Sequence, residues 1–276
     1  MTVSLGQFGI WKRAADATPE LAATVEELGF GSLWIGGSPP GDLELVEQAI
    51  AATDRIGVAT GIVNMWRDDA TTVAASYHRI RAGYPDRLLL GVGIGHPEST
   101  AHYRDPYETM VGYLDELAAA GVPREHMILA ALGPRALRLS ADRTVGSHPY
   151  FSTPRHTAMA REIVGPGVIL APEQTVVIDT DLDRARDTAR TFATRYLGLV
   201  NYRNSLLREG WDAEDLENGG SERLLDEVVL IGDPATVAAG LRAHVDAGAD
   251  NVNIQDLGPD PVGSYRALAT ELNLRK

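Results

Sequence analysis

The stretch LLLGVGIGHPEST, residues 88–100, sets glycine at every second position of an apolar, strand-like run (Gly91, Gly93 and Gly95) and follows it at once with His96 and Pro97. The spacing comes within one residue of the dinucleotide-binding fingerprint G-x-G-x-x-G, but His96 stands where the third glycine belongs, and the match fails. No fingerprint follows the first strand of the chain either, where a doubly wound nucleotide-binding sheet would carry it. Something else needs this backbone bare: either neighbouring strands crowd it, or a flat ligand lies against it.

Outward from this stretch the chain repeats one unit. Apolar runs at Leu5–Ile10, Ser32–Ile35, Gly57–Val63, Leu88–Ile94, His126–Ala131, Thr144–His148, Thr175–Ile178 and Asn251–Gln255 alternate with amphipathic helical patterns. Such alternation predicts βα units on a parallel sheet. Eight rounds of it without a fingerprint predict a closed (β/α)8 TIM barrel, a single α/β domain over residues 1–276. Helix starts are marked by Thr18-Pro19, Thr153-Pro154 and Asp233-Pro234, each a capping side chain before a proline at the first helical position. Between the seventh and eighth runs lie about seventy residues, including NYRNSLLREGWDAEDLENGGSERLLDEVVLIGDP, more than one crossover helix needs. An extra helical insertion is expected there, over the barrel mouth or at an oligomer contact.

Composition narrows the partners. The 276 residues carry 25 basic and 38 acidic side chains, a net charge of −13, and no basic block, so the long-range field repels nucleic acid and anionic membrane surfaces. The absence of cysteine excludes disulfides, thiolate metal sites and a cysteine nucleophile. No window approaches the ~18 uninterrupted apolar residues of a membrane span, and MTVSLGQFGIWKR does not read as a secretory leader, so a cytoplasmic location is expected.

In a parallel barrel the reactive groups gather where the strands end and eight loops converge. Those ends carry Trp11; Gly36, Gly37 and Ser38; Asn64, Met65 and Trp66; Gly95 and His96; Leu132 and Gly133; His148; and Gln255 with Asp256. Ionisable groups are few, and neither a metal-binding H-E-x-x-H, nor a G-x-S-x-G elbow, nor a pair of tip carboxylates is visible. Glycine, tryptophan, an amide and apolar side chains suit a slot for a flat cofactor that brings its own chemistry. Two helix starts, at Gly133-Pro134 and at Ser152-Thr153-Pro154, offer backbone N–H groups to an anion, which points to a phosphate-bearing cofactor and to no metal.

Five segments, ELGFGSLWIGGSP, ATDRIGVATGIVNMW, GYPDRLLLGVGIGHPE, ALGPRALRLSADRTVGSHPYFSTP and GDPATVAAGLRAHVDAGADNVNIQ, resemble in order and spacing the luciferase-like superfamily, most of all its coenzyme F420-dependent oxidoreductases. The resemblance runs over nearly the whole chain. It implies a (β/α)8 barrel, commonly a homodimer, that holds a deazaflavin at its mouth and passes hydride between the ring's C5 and a small substrate. Position by position, it implies a non-proline cis peptide at Gly61-Ile62 behind the ring, and ring contacts from Gly95 and His96. Phosphate contacts are implied from Leu132, Gly133, Phe151, Ser152 and Thr153, and Gly36, Gly37, Val63, Gly93 and Ala131 complete the expected cofactor-binding set. Where several relatives place an acid and a histidine after the second strand this chain has Gly37 and Ser38, and a substrate-phosphate lysine of some relatives is missing, so sugar-phosphate oxidation is not expected. His96 is left as the proton donor or acceptor, with Asn64 and Ser38 as further polar contacts and Trp11, Trp66 and His148 walling the substrate. Arg13, Arg67 and Arg104 are the side chains that would offset the acidic surface near an anionic coenzyme tail. The alternatives are an FMN-dependent luciferase-like monooxygenase and, from another class, a flavin or deazaflavin carrier without catalysis.

Overall fold

The computed structural model describes residues 3–96 and 105–274; Pro97 and Arg104 lie outside them. The strands are β1 (Phe8–Arg13), β2 (Ser32–Gly36), β3 (Gly57–Gly61), β4 (Val63–Asn64), β5 (Leu88–Gly93), β6 (Met127–Leu129), β7 (Gly146–Ser147), β8 (Ile169–Leu170), β9 (Glu173–Ile178), β10 (Val229–Gly232) and β11 (Val252–Asp256). They pair in the order β10-β9-β11-β1-β2-β3-β5-β6-β7-β8, with β4 on β5. Every one of these pairings is parallel.

The two ends of that path meet. β8 and β9 are pieces of one extended stretch, parted at Ala171-Pro172, where proline has no N–H for a ladder. β8 pairs with β7 (Gly146 opposite Ile169) and β9 with β11 (Glu173 opposite Asn253), so the sheet comes round on itself. β3 and β4 are likewise one strand, interrupted by the cis Gly61–Ile62 bond. The result is the expected (β/α)8 TIM-barrel architecture, with helices on the outside and β10 hooked onto the outer end of β9.

Two cores follow from the closure. Outside the strands, Leu33, Ile35, Val58, Leu88, Leu90 and Val92 alternate toward helix residues such as Val25, Val46, Tyr77 and Leu114. Inside, Trp11, Trp34, Ala59, Leu89, Ile128 and Ala171 fill the barrel above Val3 and Leu5. Asn251 fastens the inside: its Oδ1 accepts from Trp34 Nε1 at 3.2 Å, while its Nδ2 donates to Leu5 O, Gly6 O and Ser32 Oγ.

Three boundaries differ from the sequence reading. The first strand begins at Phe8 rather than Leu5, because Gly6 adopts a left-handed φ of +62° and breaks the extended run. It runs on to Arg13, paired with β2 as far as Gly36, so Trp11 lies within the strand and points into the barrel instead of standing beyond its tip. The seventh strand starts earlier than Thr175, at Ile169. The insertion holds helices Leu182–Leu197, Val200–Arg208 and Glu222–Val228, and also a strand, β10, that periodicity within a helical insertion did not suggest.

Candidate active site

The register sets Gly36 opposite Gly61 at the strand tips, and Gly93 opposite Asn64. Their bareness is taken up by protein atoms. The Trp11 indole lies where a Cβ on Gly36 would be, and a Cβ on Gly61 would come within 2.8 Å of Trp11 Nε1 and 3.1 Å of His148 Nε2. At Gly93 the space belongs to Ala130 and Ile62, and at Gly91 to the Thr60 carbonyl, so close strand packing accounts for these two without a ligand. Gly95 turns with φ +65° and brings its backbone against Asn64 Nδ2, while Asn64 Oδ1 accepts from the Trp66 amide at 2.9 Å.

What remains open is a half-exposed strip across the mouth formed by Gly61, Ile62, Asn64, Ile94, Gly95 and His96. His96 Nδ1 meets Asn201 Oδ1 at 3.2 Å, and its ring tilts over Tyr202 at 5.2 Å. Both partners come from the insertion. The sequence reading missed them, along with an aromatic roof in which Tyr150 packs against Trp11 (5.4 Å), Tyr196 (5.3 Å) and Tyr202 (6.3 Å). Tyr150 OH also donates to Gln255 Oε1 at 2.8 Å. The insertion's aromatic spacing, Phe192 and Tyr196 one helical turn apart, was the available signal.

Burial sets the protonation of this region. His148, 2% exposed and stacked on Trp34 at 4.2 Å, donates from Nδ1 to Ala171 O at 2.7 Å. Burial lowers its pKa to about 4, so the ring is neutral. Glu173, also buried, is pushed up to about 8 by desolvation, against bonds accepted from Thr175 Oγ1 (2.5 Å) and Phe151 N (3.3 Å). Tyr150 and Tyr202 are held protonated, chiefly by burial.

The two helix starts differ. Helix Pro134–Arg143 has no side-chain cap at Gly133, and Arg208 Nη2 comes within 3.6 Å of that glycine's Cβ position. Helix Pro154–Val164 is capped by Thr153, whose Oγ1 accepts from His156 N (3.1 Å) and donates to Glu209 Oε2 (2.6 Å). Burial raises Glu209 to about 7, with Arg155 and Arg208 opposing. A carboxyl from the insertion thus holds the Thr153 hydroxyl at the start where an external anion was expected, and Ser152 Oγ beside it is buried.

The other sequence candidates are scattered around this frame. Val63 and Ala131 are buried; Leu132 is half-exposed and its carbonyl accepts from His156 Nε2 at 2.9 Å. Gly37 is exposed, Ser38 and Trp66 half-exposed. Arg13 is exposed, and Arg67 is engaged by Pro39 O and Asp68.

Residues 4–120 match the family model for luciferase-like monooxygenases. The fold of the chain is shared, over 98% of this chain and 99% of the other, with an F420-dependent secondary alcohol dehydrogenase bound to an F420-acetone adduct (14% identity, TM-score 0.76). It is shared equally with the coenzyme F420-dependent tetrahydromethanopterin reductase of Methanopyrus kandleri (16%, TM-score 0.78, 97% and 98% covered). A third likeness is the FMN-bound oxygenating constituent of 3,6-diketocamphane monooxygenase from Pseudomonas putida (14%, TM-score 0.70, 99% and 98% covered). None of the curated proteins matches the chain in sequence.

Two of these neighbours are named for F420 and the third for FMN, and the mouth of this chain has features that suit a planar ring with a polar edge. The Gly61–Ile62 edge is half-exposed although it ends a buried strand. Trp11 Nε1 and His148 Nε2 are buried polar atoms with no hydrogen-bond partner among the described residues. The uncapped start at Gly133 beside Arg208 suits an anionic tail. At Thr153 the fit is poorer, because Glu209 already engages the hydroxyl.

Proposed function

We propose that the protein is a luciferase-like oxidoreductase that takes the deazaflavin coenzyme F420 at the barrel mouth and acts on a small organic substrate. When bound, the coenzyme supplies hydride chemistry at C5 of its ring. The observation that carries the reading is His96 on the half-exposed strip beside the cis Gly61–Ile62 edge, oriented through Nδ1 by Asn201. With Nδ1 donating to the Asn201 amide oxygen, Nε2 is the atom of the neutral ring that takes up a proton, and of the charged ring the one that gives it. Gly61, Ile62, Val63 and Gly95 would form the floor under the ring, with Gly36, Gly37 and Gly93 behind it. Gly133 and Arg208, with Ala131 and Leu132 nearby, would hold the anionic tail; Ser152 and Thr153 would serve it only if Glu209 gave way. Asn64, Ser38 and Trp66 would meet the substrate, and the aromatic roof of Tyr150, Tyr196 and Tyr202 would keep water from it. The overall charge of −13 makes Arg208 the more telling, since a coenzyme with a carboxylate tail needs local positive charge.

The family model names monooxygenases, and that favours FMN as the second reading. Titrating the purified chain with each cofactor and following fluorescence separates them: tight FMN binding without coenzyme F420 binding overturns the first. His96→Ala is expected to leave cofactor affinity intact and to lower turnover by about 10²–10⁴-fold, the range of a lost general acid or base. Equal turnover in both proteins would remove His96 from the chemistry, and turnover in neither would favour a carrier.

A further inference from the structure

We propose that Trp11 and His148 form a two-point recognition site for a lactam edge, a carbonyl and an N–H side by side, at the inner wall of the barrel mouth. The site rests on the reading of the protein as a flavin-type or deazaflavin enzyme, because the pyrimidinedione edge of those rings carries such a pair. Its basis is the chain's own geometry. Trp11 is 4% and His148 2% exposed, and neither Trp11 Nε1 nor His148 Nε2 has a hydrogen-bond partner among the described residues. Buried polar atoms are nearly always satisfied, so two orphans at one place require an account.

Both nitrogens lie against the same backbone position: a Cβ on Gly61 would come 2.8 Å from the first and 3.1 Å from the second. They are complementary rather than alike. An indole nitrogen only donates. His148 spends its Nδ1 proton on Ala171 O at 2.7 Å, which leaves Nε2 as an acceptor. Stacking on Trp34 at 4.2 Å fixes the imidazole plane, and packing against Tyr150 at 5.4 Å holds the indole, so both atoms are aimed in advance. Gly61 carries no side chain to cover the two nitrogens, and it is itself half-exposed on the strip beside His96. A group that accepts from Trp11 and donates to His148 satisfies both atoms at once; an ether, an ester or an aromatic C–H edge satisfies at most one.

The test modifies the ligand as well as the protein. The full chain is titrated with FMN and with coenzyme F420, and then with the N3-methylated form of whichever binds, with fluorescence giving Kd. Methylation removes the ring's N–H and is expected to weaken binding to the unaltered protein roughly 10-fold. In His148→Phe, which keeps a ring against Trp34, that penalty should vanish. Trp11→Phe should weaken both forms alike, by about 3- to 10-fold. The indole N–H resonance absent from the Trp11→Phe spectrum should shift when the ring is added to the unaltered protein, a readout independent of turnover and of the variants' stability. Equal affinity for methylated and unmethylated rings, with an unmoved Trp11 resonance, overturns the recognition site while leaving the cofactor reading in place. Binding of neither ring overturns the cofactor reading and the site with it.

Discussion

Glu173 offers a direct measurement of the electrostatics inside the barrel mouth. The carboxyl is 1% exposed and, among the described residues, receives two hydrogen bonds, from Thr175 Oγ1 and Phe151 N, which do not offset its desolvation. Its pKa rises from 4.5 to about 8. Between those values the folded chain binds a proton that the unfolded chain has lost, so stability must fall as pH rises. Across that window the loss is about 1.4 kcal/mol per pH unit, or about 2–3 kcal/mol between pH 6 and 8. Glu209, raised to about 7, adds a loss of the same sign up to that pH. His148 and His244, lowered by burial to about 4 and about 3, act the other way: their stabilisation is lost as pH falls below 6.5 toward those values. The two effects oppose each other below pH 6.5, and the carboxyls stand alone above it. Glu173→Gln keeps the volume and the acceptor for Thr175 but cannot ionise, so subtracting its urea-unfolding free energies from those of the unaltered chain isolates Glu173. The expected difference changes by about 2–3 kcal/mol from pH 6 to 8, in favour of the variant at the higher pH. Parallel curves for the two proteins over this range would refute the assignment of a protonated, buried Glu173.

Other perturbations test the frame and the site separately. Asn251→Leu removes the side chain that satisfies Trp34 Nε1 and the carbonyls of Leu5 and Gly6, and should cost about 3 kcal/mol in chemical unfolding. Gly31→Ala sets a Cβ 2.5 Å from the Gly6 Cα, backbone against backbone, and should lower stability by about 1–3 kcal/mol, read as a fall in Tm. If Arg208 serves the ligand's phosphate, Arg208→Ala should weaken FMN about 10-fold while leaving riboflavin unchanged, and calorimetry with the two ligands reads the ratio.

Much of the architecture was legible because it is repetitive. Each βα round carries its own period and its own punctuation, and the proline-led helix starts at Thr18, Thr153 and Asp233 all cap as their side chains predict. The strand edges that misread were places where one residue overrides the pattern. Gly6 turns left-handed before Phe8, and Pro172 splits the seventh strand. The site was legible only on its barrel side. His96 and Gly61-Ile62 lie in short motifs, whereas Asn201, Tyr202 and Glu209 reach the mouth from over a hundred residues further along, in an insertion with no strand period to place them. The bare glycines were ambiguous in one dimension, since whether a missing Cβ admits a ligand or a neighbour is decided by what stands opposite. At Gly91 and Gly93 it is Thr60, Ala130 and Ile62.

The division of the mouth has a consequence for specificity. The residues proposed to meet a reacting ring and its substrate, Trp11, Gly61, Ile62, Asn64, Gly95 and His96, all fall within the 4–120 stretch that matches the luciferase-like family model. Those around the two helix starts, where the remainder of a ligand would lie on the same reading, fall outside it: Gly133, Thr153, Arg208 and Glu209. Glu209 is the decisive member of the second set. It presents a buried carboxyl to Thr153, one helix start away from an uncapped start facing Arg208. Two anions cannot share the Thr153 hydroxyl without the full cost of like charges in a poorly solvated site. On the proposed reading, a ligand's phosphate would be directed to Gly133 and Arg208 unless Glu209 is protonated first. With burial raising Glu209 to about 7, that choice would turn on pH near neutrality. In the Arg208→Ala background, FMN affinity should accordingly recover as pH is lowered from 8 to 6, and an affinity flat across that interval would show that Glu209 does not exclude phosphate from the second start.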